Sequence, residues 1–413
     1  MVAQPRLRHQ DATSKRLVRK AGAGTAMSVR LLRACRGGWG WGRGRGHATP
    51  AWEAPRREKP PWRVLFFGTD HFSAEILRAL QAARAESQDQ KALVDHLEVV
   101  TLPPSHSKVL PVKKYADQFQ LPVHIWPDVG SCENFDLGVV ASFGRLLSED
   151  LIRKFPYGML NVHPSYLPRW RGPAPIVHTV LHGDTATGVT IMQIRPKRFD
   201  VGPIIKQEEF AIPLRCSAKK LEPLLSKEGA NLLIAVLQNL PESLSKKKEQ
   251  PKGGVTHAPK VTIAMSCVQW EEQTAEQILR MDRALGAMMP LKTLWMGSSV
   301  KLLDFEEEEM LPDLTDKVVA EKEATPGLVL YHKQLKILMI QCKEGWVGVR
   351  SVVHKKKLTA TDFYNGYLHC WPQNSSATAL RNCRFQALKL TTAKKKPKGS
   401  PNAQNNCDKN IRK

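Results

Sequence analysis

The 413 residues carry a net charge of +23, and that charge is concentrated at the two ends. Residues 1–60 hold 14 Lys or Arg against 3 acids and residues 381–413 hold 10 against 1, so the ends carry +11 and +9 and the body only +3. The body therefore does not by itself announce nucleic-acid binding, and no stretch reaches the roughly 20 apolar residues of a membrane span. A chain of this length buries two ordinary cores without disulfide staples. The cysteines, Cys35, Cys132, Cys216, Cys267, Cys342, Cys370, Cys383 and Cys407, are scattered without a CxxC or a Cys/His ligand spacing. That scatter predicts reduced thiols and no metal site.

From Met27 the chain reads Ser28, Val29, Arg30, Leu31, Leu32, Arg33, Ala34, Cys35 and Arg36, then a Gly/Trp/Arg run to Arg45, with no acid before Glu53. An Arg-rich, acid-poor segment with an amphipathic start has the composition of an organelle presequence. Residues 1–60 are read as that presequence or a disordered basic arm, with Met1 and Met27 both open as starts. Past Pro60 and Pro61, Val64–Gly68 predicts a buried first strand, followed by a helix with Ser73 at its N-cap and Ile76, Leu77 and Leu80 at core spacing. Leu97–Leu102, Val123–Trp126 and Leu137–Ala141 are short apolar runs separated by polar or helical intervals. This alternation predicts an α/β layer with a mostly parallel sheet over 61–240, to which Met159–His163 and Val189–Ile194 add later strands.

Between 241 and 260, Ser245, Lys246, Lys247, Lys248, Pro251, Gly253 and Gly254 make a polar, breaker-rich interval that reads as a linker. Thr274 and Gln277 form a capping-box pattern, with Ile278, Leu279, Met281, Leu285 and Met288 as the apolar side of the helix it opens. Short strands follow at Leu294–Met296, Val300–Phe305, Gly327–Tyr331, Lys336–Cys342 and Trp346–Ser351, which predict a small β-barrel over 261–380. Residues 381–413, with Lys394, Lys395, Lys396 and Lys398, read as a solvated basic tail.

Gly68 precedes Thr69, Asp70, His71 and Phe72 rather than two further spaced glycines, and no phosphate-cradling loop ends in Gly, Lys and Ser or Thr. NAD and ATP are thereby disfavoured as cofactors, and a tight strand-to-helix turn explains Gly68. Asn161 and His163 carry more information. On a strand they share one face, which sets an amide donor beside a titratable imidazole at a strand's carboxyl end. Pro164 and Pro168 cannot extend the ladder, so a stiff loop begins there. The pairing suits chemistry at a carbonyl.

Asn161, Val162 and His163, the segment Ser165–Pro168 with Arg169, Trp170, Arg171 and Gly172, then Gly183, Asp184, Gly188, Val189, Thr190, Phe199 and Asp200 together resemble the folate-dependent formyltransferase family. The similarity runs from about Trp62 to Tyr367. It implies a Rossmann-like formyltransferase domain, a linker and a C-terminal OB-like β-barrel domain. It also implies Asn161, His163 and Asp200 as catalytic residues and Ser165, Tyr166, Leu167 and Pro168 as the folate-contacting loop. The implied reaction moves a formyl group from the cosubstrate 10-formyltetrahydrofolate to the α-amine of initiator methionyl-tRNA. It would run in the mitochondrial matrix, on a monomer, without a metal, a membrane or a covalent enzyme intermediate.

The physical needs of that reaction fit the residues. Amine attack on the formyl carbon builds an oxyanion that Asn161 and a protonated His163 can stabilise, while Asp200 favours the imidazolium and can take the amine's proton. Arg169, Trp170 and Arg171 offer cation and aromatic surface for RNA or the folate tail, or else form a packed Trp with solvated neighbours. Two departures stand out. The stretch Pro103–Lys114, with Lys108, Lys113 and Lys114, is compact where bacterial relatives carry a longer basic loop, and Tyr166 replaces a usual Leu. The alternatives are a formyltransferase for a small amine such as glycinamide ribonucleotide, which needs no second domain, and a silent RNA-binding module, which needs no intact trio.

Overall fold

Strand β1 (Trp62–Gly68) is buried at every position but Arg63, and its burial is two-sided. Trp62, Val64 and Phe66 enter one core while Leu65 and Phe67 enter the other, which is why the run reads as continuously apolar. The computed structural model of the protein describes residues 57–85, 91–104, 109–306, 325–369 and 384–389. Outside these lie the basic arm as far as Arg56, the lysines Lys394–Lys398, Lys108, the acids Glu307–Glu309, and Cys35, Cys370, Cys383 and Cys407.

Helix α1 (His71–Ala82) is capped by Asp70, which corrects the expectation of Ser73. Asp70 has the extended backbone an N-cap requires, and its Oδ1 accepts the Ser73 N–H at 3.0 Å. Ser73 sits inside the first turn, where its Oγ accepts the Thr69 N–H at 2.9 Å. Gly68 is explained by crowding at the same place: an added Cβ would lie 2.8 Å from that of Ser73.

The chain continues through β2 (Val94–Thr101), α2 (Pro111–Gln118), β3 (Val123–Ile125), β4 (Leu137–Ala141), α3 (Glu149–Arg153), β5 (Met159–His163), α4 (Pro175–Leu181), β6 (Ala186–Gln193), β7 (Ile204–Ala211), α5 (Ala218–Gln238) and α6 (Leu240–Ser245). The sheet order is β3-β2-β1-β4-β5-β6-β7. Pairing is parallel from β3 to β5 and antiparallel for β5–β6 and β6–β7. The sheet is thus mostly parallel, with an antiparallel flank where Val189–Ile194 had been grouped with the same layer. β7 has no apolar run because it is an edge, and its Lys206, Glu208 and Glu209 suit an exposed edge. β1 sends the chain outward to β2 and β3 before it returns to β4 on the other side. The carboxyl ends of β1 and β4 therefore form the switch point where such sheets bind ligands.

After a 3₁₀ turn at Ile263–Ser266, α7 (Ala275–Leu285) opens on the reciprocal capping box of Thr274 and Gln277. It ends before Met288, which is exposed rather than part of its apolar side. Strands β8 (Leu291–Trp295), β9 (Ser298–Glu306), β10 (Val329–His332), β11 (Ile337–Gln341), β12 (Trp346–His354) and β13 (Lys356–Thr359), helix α8 (Ala360–Phe363) and β14 (Phe385–Gln386) follow among the described residues. Their antiparallel sheet runs β10-β11-β12-β9-β8-β14, with β13 on β12. A bridge between Leu328 and Arg384 brings the two edges together, which closes the sheet on itself.

Helix α7 packs on α4 and α5, and Ile278 and Leu285 share one core with Leu225 and Leu233. Cys132, Cys216, Cys267 and Cys342 are buried, and burial pushes the thiols of Cys132, Cys216 and Cys267 up. Among the described residues no helix is long and apolar enough to cross a membrane.

Candidate active site

On β5 the period of two sends Leu160 and Val162 into the core and turns Asn161 and His163 to the other face. That face opens on a cavity of about 410 Å³ at the carboxyl edge of β4 and β5. Val140, Phe143, Leu147, Met192, Ile194 and Phe199 supply its apolar wall, and Asn161, His163 and Asp200 lie together within it. Arg145, Arg195, Arg198 and Lys260 add positive charge to the lining.

The Asp200 carboxylate lies between two segments of chain. Its Oδ1 accepts the Asn161 amide N–H at 3.2 Å and lies 3.6 Å from His163 Nδ1; its Oδ2 accepts the Gly172 N–H at 2.9 Å. The other imidazole nitrogen, Nε2, is 3.0 Å from the Trp170 carbonyl oxygen, which fixes a proton on Nε2 as donor. Asp200 also holds a left-handed φ of +53°, so it is a turn residue whose turn aims its carboxylate at the strand pair. Gly172 is required where it stands: at φ +123°, an added Cβ would lie 2.6 Å from the Ala258 carbonyl oxygen.

The loop Ser165, Tyr166, Leu167, Pro168 lies outside the cavity wall. Ser165 and Leu167 are buried, while Tyr166 is 44% exposed. Thr190 on β6 fixes the loop's course by donating to the Ser165 carbonyl at 2.7 Å and accepting the Leu167 N–H at 3.2 Å. Gln207 on β7 adds bonds of 2.8 Å to the Leu167 carbonyl and 2.9 Å to the Thr190 hydroxyl.

Of Arg169, Trp170 and Arg171, Trp170 is the packed residue, and its neighbours Arg169 and Arg171 are both hydrogen-bonded within the protein. Arg169 grips Asp184 through Nε at 2.8 Å and Nη2 at 2.5 Å and stacks 4.4 Å from the Trp170 ring centroid. Trp170 is buried and donates its indole N–H to Asp184 at 2.7 Å. Arg171 donates to the Gln250 Oε1 through Nε at 3.0 Å and Nη2 at 2.6 Å.

Gln250 and Lys260 were not anticipated as site residues, because they lie in the interval read as a linker. That interval is tied down along its length. Lys248 pairs with Ile204, Arg171 donates its N–H to the Thr256 carbonyl at 3.0 Å, and the Ala258 N–H returns to the Arg171 carbonyl at 2.7 Å. His178 Nε2 lies 3.0 Å from the Pro259 carbonyl. Burial pushes the His178 pKa down, so the ring is neutral and donates its Nε2–H to that carbonyl.

Residues 63–237 match the family described as Formyl transferase, and residues 260–368 match Formyl transferase, C-terminal domain. The chain belongs to the formyl transferase family and is a formyl-transferring enzyme. Within that family its similarity is to methionyl-tRNA formyltransferases. The mitochondrial one of Homo sapiens is 62% identical over 342 residues, covering 83% of this chain and 87% of the relative. That of Bos taurus is 60% identical over 355 residues, covering 85% and 90%. A methionyl-tRNA formyltransferase of the bacterium Roseobacter denitrificans is 32% identical over 320 residues, covering 74% and 95%.

Proposed function

We propose that the chain transfers the formyl group of 10-formyltetrahydrofolate to the α-amine of initiator methionyl-tRNA in the mitochondrial matrix. The observation that carries this reading is the convergence of Asn161, His163 and Asp200 at an apolar cavity of about 410 Å³. Small-molecule sites span roughly 300–1,000 Å³, and Val140, Phe143, Leu147 and Met192 suit a flat heteroaromatic body. Of the loop Ser165–Pro168, Tyr166 is exposed and Pro168 half-buried, so these two are open to meet the folate, while buried Ser165 and Leu167 set the loop's course. Arg145, Arg198 and Lys260 suit the anionic ends of folate or RNA.

Each catalytic residue has a distinct part. Asn161 spends one amide N–H on Asp200 and keeps the second for the formyl oxygen. The 3.6 Å between His163 Nδ1 and Asp200 is too long for a hydrogen bond, so in the doubly protonated ring this edge is free to donate to the developing oxyanion. Asp200 takes the amine's proton as the new C–N bond forms and gives it up to the folate nitrogen as the bond from that nitrogen to the formyl carbon breaks. The mitochondrial setting is supported by the names of the mammalian relatives and by the Arg-rich, acid-poor segment after Met27.

The test is formyl transfer by purified protein from 10-formyltetrahydrofolate to methionyl-tRNA, run in parallel with glycinamide ribonucleotide. The expected product is formylmethionyl-tRNA alone. Transfer only to the nucleotide reverses the choice of acceptor.

A further inference from the structure

We propose that Gln250 is the positioning residue for Asp200: from the segment that leads to the C-terminal sheet, one side-chain amide ties together both walls that hold the Asp200 carboxylate. The proposal rests on the reading of Asn161, His163 and Asp200 as the reaction centre.

Asp200 has a backbone conformation that few non-glycine residues adopt unless their surroundings impose it. Gln250 imposes it from below, because its Nε2 donates to the carbonyls of both Asp200 and Gly202, each at 2.9 Å. The same amide's Oε1 accepts two N–H groups of Arg171, at 3.0 and 2.6 Å. Arg171 precedes Gly172, whose N–H donates to Asp200 Oδ2 at 2.9 Å. The amide is therefore fully used, and it joins the turn that carries the carboxylate to the loop that hydrogen-bonds it. Gln250 is not itself among the residues that line the cavity, so it acts through Asp200 and not on substrate. A displacement of about 1 Å at a reacting group costs on the order of 10²-fold in rate.

The experiment is single-turnover and steady-state formyl transfer to methionyl-tRNA by the full chain carrying Gln250→Met or Gln250→Glu. Each change is also placed in an Asp200→Asn background, with thermal unfolding recorded for all. Gln250→Met is near-isosteric and removes both halves of the clamp. Gln250→Glu keeps the acceptor for Arg171 and replaces the donor to the Asp200 and Gly202 carbonyls with a charged acceptor.

Both single variants are expected to lower kcat by about 10- to 100-fold with KM for either substrate moved by less than about 3-fold. In the Asp200→Asn background the same changes are expected to cost less than about 2-fold, because the group they position is already disabled. Parental kcat in Gln250→Glu, or equal losses in both backgrounds, overturns the proposal while leaving the reaction centre intact. Parental kcat in Asp200→Asn itself overturns the reading of the centre instead.

Discussion

Thr190 shows how much of this site depends on residues that never meet a substrate. Its fully buried hydroxyl donates to Ser165 and accepts from Leu167 and Gln207, so Thr190→Val keeps the shape and strands buried polar groups. Unsatisfied groups of this kind cost about 1–3 kcal/mol each, and urea unfolding of Thr190→Val is expected to register a loss of that order. An unchanged midpoint would show that the loop is held elsewhere. Asn161 and His163 were legible in the sequence because strand periodicity alone places them on one face. Asp200 was legible only through its company, since a lone Asp before Val and Gly reads as a turn. Thr190 was legible only as a position in the family pattern, and Gln250 not at all: its partners lie 48 to 79 residues away, and no local pattern encodes such a contact.

At the scale of elements, strands buried on both faces announced themselves and exposed ones did not. β4 is apolar throughout and β1 is apolar but for Arg63, whereas β7, an edge with a polar face, gave no signal. The cap of α1 was misplaced because Asp70 and Ser73 are both good capping types, and only the backbone of Asp70 shows which one stands outside the helix. The pairing of β2 with the short β3 carries a testable electrostatic feature. Burial works against the Glu98 carboxylate, but hydrogen bonds from His124 and His96 outweigh it and hold its pKa below the usual value. A carboxyl depressed in the folded state stabilises the fold above its unfolded pKa and loses that contribution as pH falls through the folded one. The stability gap between the parent and Glu98→Gln is therefore expected to narrow as urea unfolding is repeated from neutral pH downward through the carboxylate range. A gap that stays constant would contradict the pairing.

The whole molecule is more continuous than its composition suggested. The polar interval 241–260 read as a tether, yet hydrogen bonds hold it against Arg171 and Ile204, and one core runs from β1 through α5 into α7 and the C-terminal sheet. Shared burial of that extent predicts cooperative unfolding, so calorimetry is expected to give one transition for the two halves; two resolved transitions would contradict a common core. The charge distribution belongs to this scale as well, since a nearly neutral body leaves recognition of a polyanion to local cations and to the ends of the chain. The central claim, that Asn161 and His163 stabilise the oxyanion of formyl transfer, is tested most directly by the single-turnover rate of His163→Ala protein on methionyl-tRNA with 10-formyltetrahydrofolate. Loss of one such donor costs about 10²- to 10³-fold, and a fall of that size in protein that still unfolds cooperatively is the predicted result, beside a lower midpoint because the Trp170 carbonyl loses its partner. A parental rate in properly folded His163→Ala protein would contradict it.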